Sequence, residues 1–229
     1  MAVEVITTNN LKKEYHESEV PVKALNGVNL TILDGEFTAI VGPSGSGKST
    51  LLHLLGGLDR PTQGTVVIDK TDIGKLSSGE IIDFRLFNIG FVFQAYNLIP
   101  VLTAKENIEF IMMLQKVDKH QRRNRSLELL EAVGLKKRAD HRPVQLSGGE
   151  QQRVAVARAL ASKPKFVLAD EPTANLDSRS AENLLDLMAE LNSKLKTTIL
   201  FSTHDERVIK RARRVVSLLD GEVRDDSER

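Results

Sequence analysis

Cysteine and tryptophan are absent from this chain of 229 residues, and aromatic residues make up only 4% of it. Without cysteine, neither a disulfide nor a thiolate metal site can form, in keeping with a cytoplasmic setting. So few rings leave little from which to build a platform that stacks nucleic-acid bases. A charge excess is missing too. Lysine and arginine number 32 against 31 aspartates and glutamates, a net charge of +1, so nothing global draws the chain to nucleic acid. No apolar run approaches the roughly eighteen residues that cross a bilayer, and residues 1–11 hold no signal-peptide core, so the protein is expected to stay where it is made.

What is present is a hydrophobic fraction of 41%, enough for the core of one large domain or two small ones. The stretch that organises it is residues 37–55. Phe37 to Val41 reads as a buried strand, Leu51, Leu52, Leu54 and Leu55 as one face of a helix, and the turn between them fits G-x-x-x-x-G-K-[ST]. Gly42, Pro43, Ser44, Gly45, Ser46, Gly47, Lys48, Ser49 and Thr50 thus form a candidate phosphate cradle. Gly42 and Gly47 permit backbone angles that let successive N–H groups converge on phosphate oxygens at a helix start. Lys48 adds a positive point charge. Ser49 offers a hydroxyl to a magnesium ion that bridges the β- and γ-phosphates. The bland alternative is a glycine-rich strand-to-helix turn that binds nothing, with a solvated lysine, but the four fixed positions would recur by chance in roughly one chain in a hundred of this length.

Strands are expected at 3–7 and 22–33 ahead of the cradle, giving a β-rich start. Tyr15, one of two tyrosines, lies between them and reads locally as a half-buried strand aromatic. After the first helix come a turn at 59–64, a short strand at 65–69 and a buried strand at 89–93 that ends in Gln94. Thr103 and Glu106 form a capping box for a helix over 104–115, and a second helix is expected over 119–133, with a basic face that reads as solvated. Residues 165–172 read as a strand whose apolar run ends in Asp170 and Glu171, at the strand end where open parallel sheets place chemistry. A helix over 180–195, a strand over 197–202, His204, a strand over 214–219, the Asp220-Gly221 turn and a frayed polar tail complete the expected order.

The cradle, Gln94, the stretch Leu146-Ser147-Gly148-Gly149-Glu150, the pair Asp170-Glu171 and then His204 stand in an order that resembles the nucleotide-binding subunit of an ATP-binding cassette (ABC) transporter over essentially the whole chain. In that resemblance residues 42–49 are the Walker A motif and 166–170 the Walker B strand. Ser147, Gly148, Gly149 and Glu150 match the signature, with glutamate where many members carry glutamine. Asp177 falls in the D-loop, His204 matches the switch histidine, Gln94 the Q-loop, and Tyr15 the aromatic that stacks on adenine. Ser147 and Glu150 also read locally as a capping box, and the two readings are compatible.

The resemblance implies an α/β P-loop NTPase with a RecA-like core and an antiparallel β subdomain near the N-terminus. The core and β subdomain would take residues 1–94 and 164–229, and an inserted helical subdomain residues 95–163. It implies ATP and Mg2+ as ligands, with Ser49, Gln94 and Asp170 around the metal. Lys48, Glu171 and His204 are the expected catalytic groups. Asp170 is suited to hold magnesium through water and Glu171 to polarise the attacking water, because phosphoryl transfer depends on positioning and charge stabilisation. Expected partners are a second copy in an ATP-bridged head-to-tail dimer and a separate integral-membrane permease, with no nucleic acid. The expected location is the cytoplasmic face of the inner membrane. Residues 56–64 and 91–100 look most like the lipoprotein-release and macrolide-export ATPases. Cell-division relatives share much of this, so a non-transport ATPase is the alternative. Rivals that act on DNA or in translation would call for coiled-coil or zinc modules, or for two cassettes. The loop carrying Tyr96, Leu98, Ile99 and Val101 is expected to dock the membrane partner.

Overall fold

The alternating strands Glu4–Tyr15 and Val22–Leu33 and the fully buried strands Phe37–Val41, Phe166–Ala169 and Thr198–Thr203 lie in different sheets. The computed structural model describes residues 3–16 and 21–228. The chain opens with β1 (Glu4–Tyr15), β2 (Val22–Leu33), β3 (Phe37–Val41), α1 (Lys48–Leu55), β4 (Gln63–Ile68) and β5 (Thr71–Asp72). It continues through α2 (Ser78–Asn88), β6 (Ile89–Val92), α3 (Ala104–Leu114), α4 (Lys119–Ala132) and α5 (Gly148–Ala161). It closes with β7 (Phe166–Ala169), α6 (Ser178–Leu195), β8 (Thr198–Thr203), α7 (Glu206–Ile209), β9 (Arg214–Leu219) and β10 (Glu222–Glu228).

The alternating strands pair antiparallel in the order β2-β1-β4-β5, while the second sheet runs β10-β9-β3-β8-β7-β6. In that second sheet β9, β3, β8, β7 and β6 run parallel to one another. Every residue of β3, β7 and β8 is buried, as expected where both faces of a parallel sheet are covered. Alternate residues of β3 serve two cores. Phe37, Ala39 and Val41 face a core shared with α3, α4, α5 and α6. Ile40 faces the other, where Leu51, Leu52, Leu54 and Leu55 of α1 lie between the parallel sheet and Ile6, Leu11 and Leu25 of the antiparallel one. Helix α1 is therefore clamped on both sides, and the loop before it inherits that rigidity.

Register decides where the chemistry emerges. Val41 pairs with Thr203, Ala169 with Phe201 and Val92 with Ala169. The chain segments that follow β3, β8, β7 and β6 consequently leave the sheet at one edge, which carries the loop from Gly42, His204, Asp170 and Gln94. This is the carboxyl edge at which open α/β sheets bind ligands.

Three expectations need correction. β1 runs on to Tyr15 through several bulges, so the strand is longer than 3–7 and Tyr15 stands at its end. Helix α2 was not foreseen: none of its residues is fully buried, its apolar residues face both the core (Ile81, Phe84) and the surface (Ile82, Phe87), and its signal is the capping box of Ser77 and Glu80. The tail after Gly221 is not frayed but forms β10, which pairs antiparallel with β9. Arg214 secures it by donating to Asp226 at 2.7 Å and to Glu36 at 2.9 Å. Arg229, the last residue of that tail, lies outside the described residues.

Candidate nucleotide-binding site

Two glycines give the cradle its shape. Gly42 has φ 150°, and a Cβ there would lie 2.2 Å from the Leu218 carbonyl oxygen; Gly47 has φ 101°, and its Cβ would lie 2.4 Å from the Ala24 oxygen. Neither position accepts a side chain without moving backbone. Lys48 is 5% exposed, and its Nζ donates to the Gly42 and Pro43 carbonyls at 2.9 Å each, which holds the ammonium at the mouth of the loop. The buried Ser46 hydroxyl has no hydrogen-bond partner among the described residues. An orphaned hydroxyl, a clustered set of N–H groups at the start of α1, no acidic residue in its first turn and a fixed ammonium together suit an anionic oxygen.

A continuous chain of hydrogen bonds runs from the cradle to the sheet edge. Ser49 Oγ donates to Asp170 Oδ1 at 2.9 Å. The buried Ser202 hydroxyl donates to the same oxygen at 2.7 Å and accepts the Glu171 N–H at 2.8 Å. Glu171 takes a left-handed φ of 43°, a strained conformation for a side-chain-bearing residue that often marks a functional position. Its Oε1 lies 3.2 Å from Nδ1 of His204. One carboxylate and one hydroxyl at Asp170 and Ser49 form the sparse oxygen set that suits magnesium, which keeps water and phosphate as its other ligands. His53 Nε2 approaches Asp170 Oδ2 to 3.9 Å.

Tyr15 is half-buried, and its hydroxyl donates to Asp59 Oδ2 at 3.0 Å. Lys13 Nζ binds Asp59 Oδ1 at 2.7 Å and sits 4.8 Å from the Tyr15 ring centroid. Burial pushes the Asp59 carboxyl up, but hydrogen bonds from Lys13, the Arg60 N–H and Tyr15 outweigh it and leave the group below its ordinary range.

Gln94 is exposed, and its carbonyl accepts from Asn175 Nδ2 at 2.9 Å. The loop after it splits. Leu98 packs against the helical core, and the amide of Asn107 brackets Ile99, accepting its N–H at 2.8 Å and donating to its oxygen at 3.2 Å. Val101 is 72% exposed. Leu98 is therefore a packing residue, contrary to its expected place on a docking surface, and Val101 is the open one. Arg158 of α5 donates to the Tyr96 oxygen at 3.0 Å and to that of Asn97.

Ser147 caps α5 and forms a capping box with Glu150. Asp177 caps α6, accepting the Ser180 N–H at 3.0 Å. Among the described residues, no hydrogen bond or ion pair joins residues 147–150 or Asp177 to the cradle, Asp170, Glu171 or His204. Sequence reasoning missed Ser202, Asp59 and Arg158, and it placed Asn175 in the D-loop without its bond to the Gln94 carbonyl. A serine at the carboxyl end of an otherwise apolar strand was the available signal for the first; the others act through contacts distant in sequence.

The family model described as ABC transporter matches residues 25–174, more than half of the chain. An ABC transporter ATP-binding protein of Bacillus subtilis (strain 168), YvrO, is 50% identical over 219 residues, 96% of this chain and 95% of its own. The lipoprotein-releasing system ATP-binding protein LolD of Legionella pneumophila (strain Paris) is 47% identical over 217 residues, 95% of this chain and 96% of its own. Among solved structures, the dimeric post-hydrolysis state of the ATP-binding cassette MJ0796, bound to ADP and Pi, superposes with a TM-score of 0.89 at 44% identity, covering 97% of this chain and 98% of that one. Sequence, fold and the geometry of the cradle agree: this chain belongs to the ABC transporter family and is an ATP-binding, ATP-hydrolysing cassette.

Proposed function

We propose that two copies of this chain close head to tail on ATP and that this closure drives a separate integral-membrane subunit from the cytoplasmic face of the inner membrane. The observation that carries the reading is the unbroken path Ser49–Asp170–Ser202–Glu171–His204, which links the cradle to two groups suited to water activation. Residues 42–50 hold the triphosphate, with Lys48 as its nearest cation. Tyr15 stacks on adenine. Ser49, Asp170 and Gln94 would hold the magnesium ion, which would supply charge neutralisation to the phosphates. Glu171 orients and polarises the attacking water, and His204 holds the Glu171 carboxylate in place.

The signature residues Ser147, Gly148, Gly149 and Glu150 complete the site of the other copy, and Asp177 lies at the same junction. This division of labour accounts for their separation from the cradle within one chain. Residues 95–163 form the helical subdomain on the core of 1–94 and 164–229, and bring Val101 with them. Val101, Met113 and Leu114, together with Ile82 and Phe87 of α2, are exposed large apolar residues, and Gln115 Nε2 ties the end of α3 to the Leu86 oxygen of α2 at 2.9 Å. That surface suits a cytoplasmic helix of a membrane partner. Among the described residues, no helix of this chain is long and apolar enough to cross a membrane itself. Likeness to LolD favours lipoprotein release or a related export step, driven by force passed across the membrane.

The test is Glu171→Gln in saturating ATP and magnesium. The variant should bind ATP, hydrolyse it slowly and accumulate as a dimer in size-exclusion chromatography. A variant that stayed monomeric across the accessible protein concentrations would sink the head-to-tail reading.

A further inference from the structure

Glu150 stands where a helix start should present itself to a phosphate, and a carboxylate there poses an electrostatic problem. Its two oxygens have different partners. Oε2 accepts the Ser147 N–H at 2.8 Å, which fixes the carboxylate over the first turn of α5. Oε1 accepts from Nε of Arg138 at 3.2 Å. The Ser147 N–H, helped by the Ser147 hydroxyl and Arg138 and opposed by burial, holds the Glu150 carboxyl below its ordinary range, so the group is charged at neutral pH.

A glutamine could fill the capping role equally well, since the capping box accepts either residue. What glutamine could not do is accept from a guanidinium with a charged oxygen. Arg138 is placed for that task. It ends the 3-10 turn Lys136–Arg138, its own N–H is held by the Leu135 oxygen at 2.8 Å, and its Nη1 lies 3.2 Å from His141 Nε2. Its side chain is 47% exposed and that of Glu150 18%. An ion pair so open to solvent contributes little to folding. Its electrostatic effect is larger at a helix start that must meet a phosphate in a closed, water-poor junction.

We propose that Arg138 is a positioning residue for the signature: it neutralises Glu150, so that a helix start bearing an acidic residue can still face the γ-phosphate held by a second copy of this chain. The inference rests on the head-to-tail reading above and names the device that makes the glutamate tolerable. In a chain with glutamine at 150, Arg138 has no charge to offset.

The test is a double-mutant cycle on Arg138→Ala and Glu150→Gln, built in the Glu171→Gln background and read as the ATP-dependent monomer–dimer constant in analytical ultracentrifugation. Arg138→Ala alone should weaken pairing by about tenfold. Glu150→Gln alone should pair at least as tightly as its parent, and adding it to Arg138→Ala should restore pairing to within about twofold of the Glu150→Gln level. Arg138→Lys, which keeps the charge, should stay close to the parent, and ATP binding to the monomer should be unchanged throughout. Equal weakening by Arg138→Ala with Glu150 and with Gln at 150 would assign the arginine to holding its turn and overturn the inference. So would no weakening in either background. If the Glu171→Gln protein fails to pair with Arg138 and Glu150 both intact, the head-to-tail reading itself falls and this inference falls with it.

Discussion

Nδ1 of His204 and Oε1 of Glu171 lie 3.2 Å apart, on segments that leave neighbouring strands of the parallel sheet at the same edge. An imidazole N–H donated to that oxygen would fix the carboxylate and leave its other oxygen for water. Residues that act as one unit lose their effect together. Glu171→Gln and His204→Ala should therefore each lower kcat by about 10²–10⁴-fold, and the double variant should be scarcely slower than the slower single one. Steady-state ATPase measurements on the three variants check this, and multiplicative losses would separate the two residues into independent roles.

Ser202 joins the Asp170 carboxylate to the Glu171 backbone, so its hydroxyl supports both a charge and a strained φ. Ser202 is fully buried, and Ser202→Ala removes its bond to the part-buried Glu171 N–H, a loss worth about 1–3 kcal/mol of stability. Thermal unfolding should report that loss. kcat should fall by about tenfold, since a shift of the carboxylates by a fraction of an ångström removes on the order of 1.4 kcal/mol of transition-state stabilisation. ATP affinity should hold, because the cradle itself is untouched.

The layout of this site was legible wherever an apolar run ended in a residue out of keeping with it. Val41 before Gly42 and Ala169 before Asp170 each announced a buried strand with a candidate site residue at its end, whereas His204 read locally as solvated and stood out only through the resemblance. The capping boxes at Thr103 and Ser147 marked their helix starts for the same local reason. Helix α2 escaped because its apolar residues lie both against the core, at Ile81 and Phe84, and in the open, at Ile82 and Phe87, which blurs the period. β10 escaped because an edge strand rich in acidic residues has the composition of a loose tail; what orders it is Arg214, reaching from β9 to Asp226 and Glu36. Leu98 was misplaced because nothing local distinguishes an apolar loop residue that packs inward from one that faces a partner.

Acid should loosen the helix caps in a specific order of causes. At the start of α3 the Thr103 N–H and hydroxyl hold the Glu106 carboxyl below its ordinary range. A carboxyl depressed in the folded chain stabilises it at pH above the unfolded value of about 4.3, and that contribution is lost as pH falls through the lower, folded value. The Tm difference between this protein and Glu106→Ala should thus be constant from neutral pH down to about pH 5 and shrink below about pH 4. A gap that widened in acid would contradict the sign of the shift.

Tyr15 offers the sharpest separation between base and phosphate binding. Its ring stands at the end of β1, with its hydroxyl on Asp59 and the Lys13 ammonium 4.8 Å from its centroid, so both the ring plane and the charge beside it are set before any nucleotide arrives. Stacking on adenine is worth roughly 1–3 kcal/mol per base by alanine substitution. Tyr15→Ala should accordingly weaken ATP binding by about tenfold or more, while inorganic tripolyphosphate, which has phosphates and no base, should bind the variant and the parent alike. Tyr15→Phe keeps the ring and loses the hydroxyl that bonds Asp59, so it should fall between the two. Titration calorimetry with both ligands measures the difference directly. If tripolyphosphate lost as much affinity as ATP in Tyr15→Ala, the substitution would be acting through the fold of the cradle, and the adenine would have to stack elsewhere.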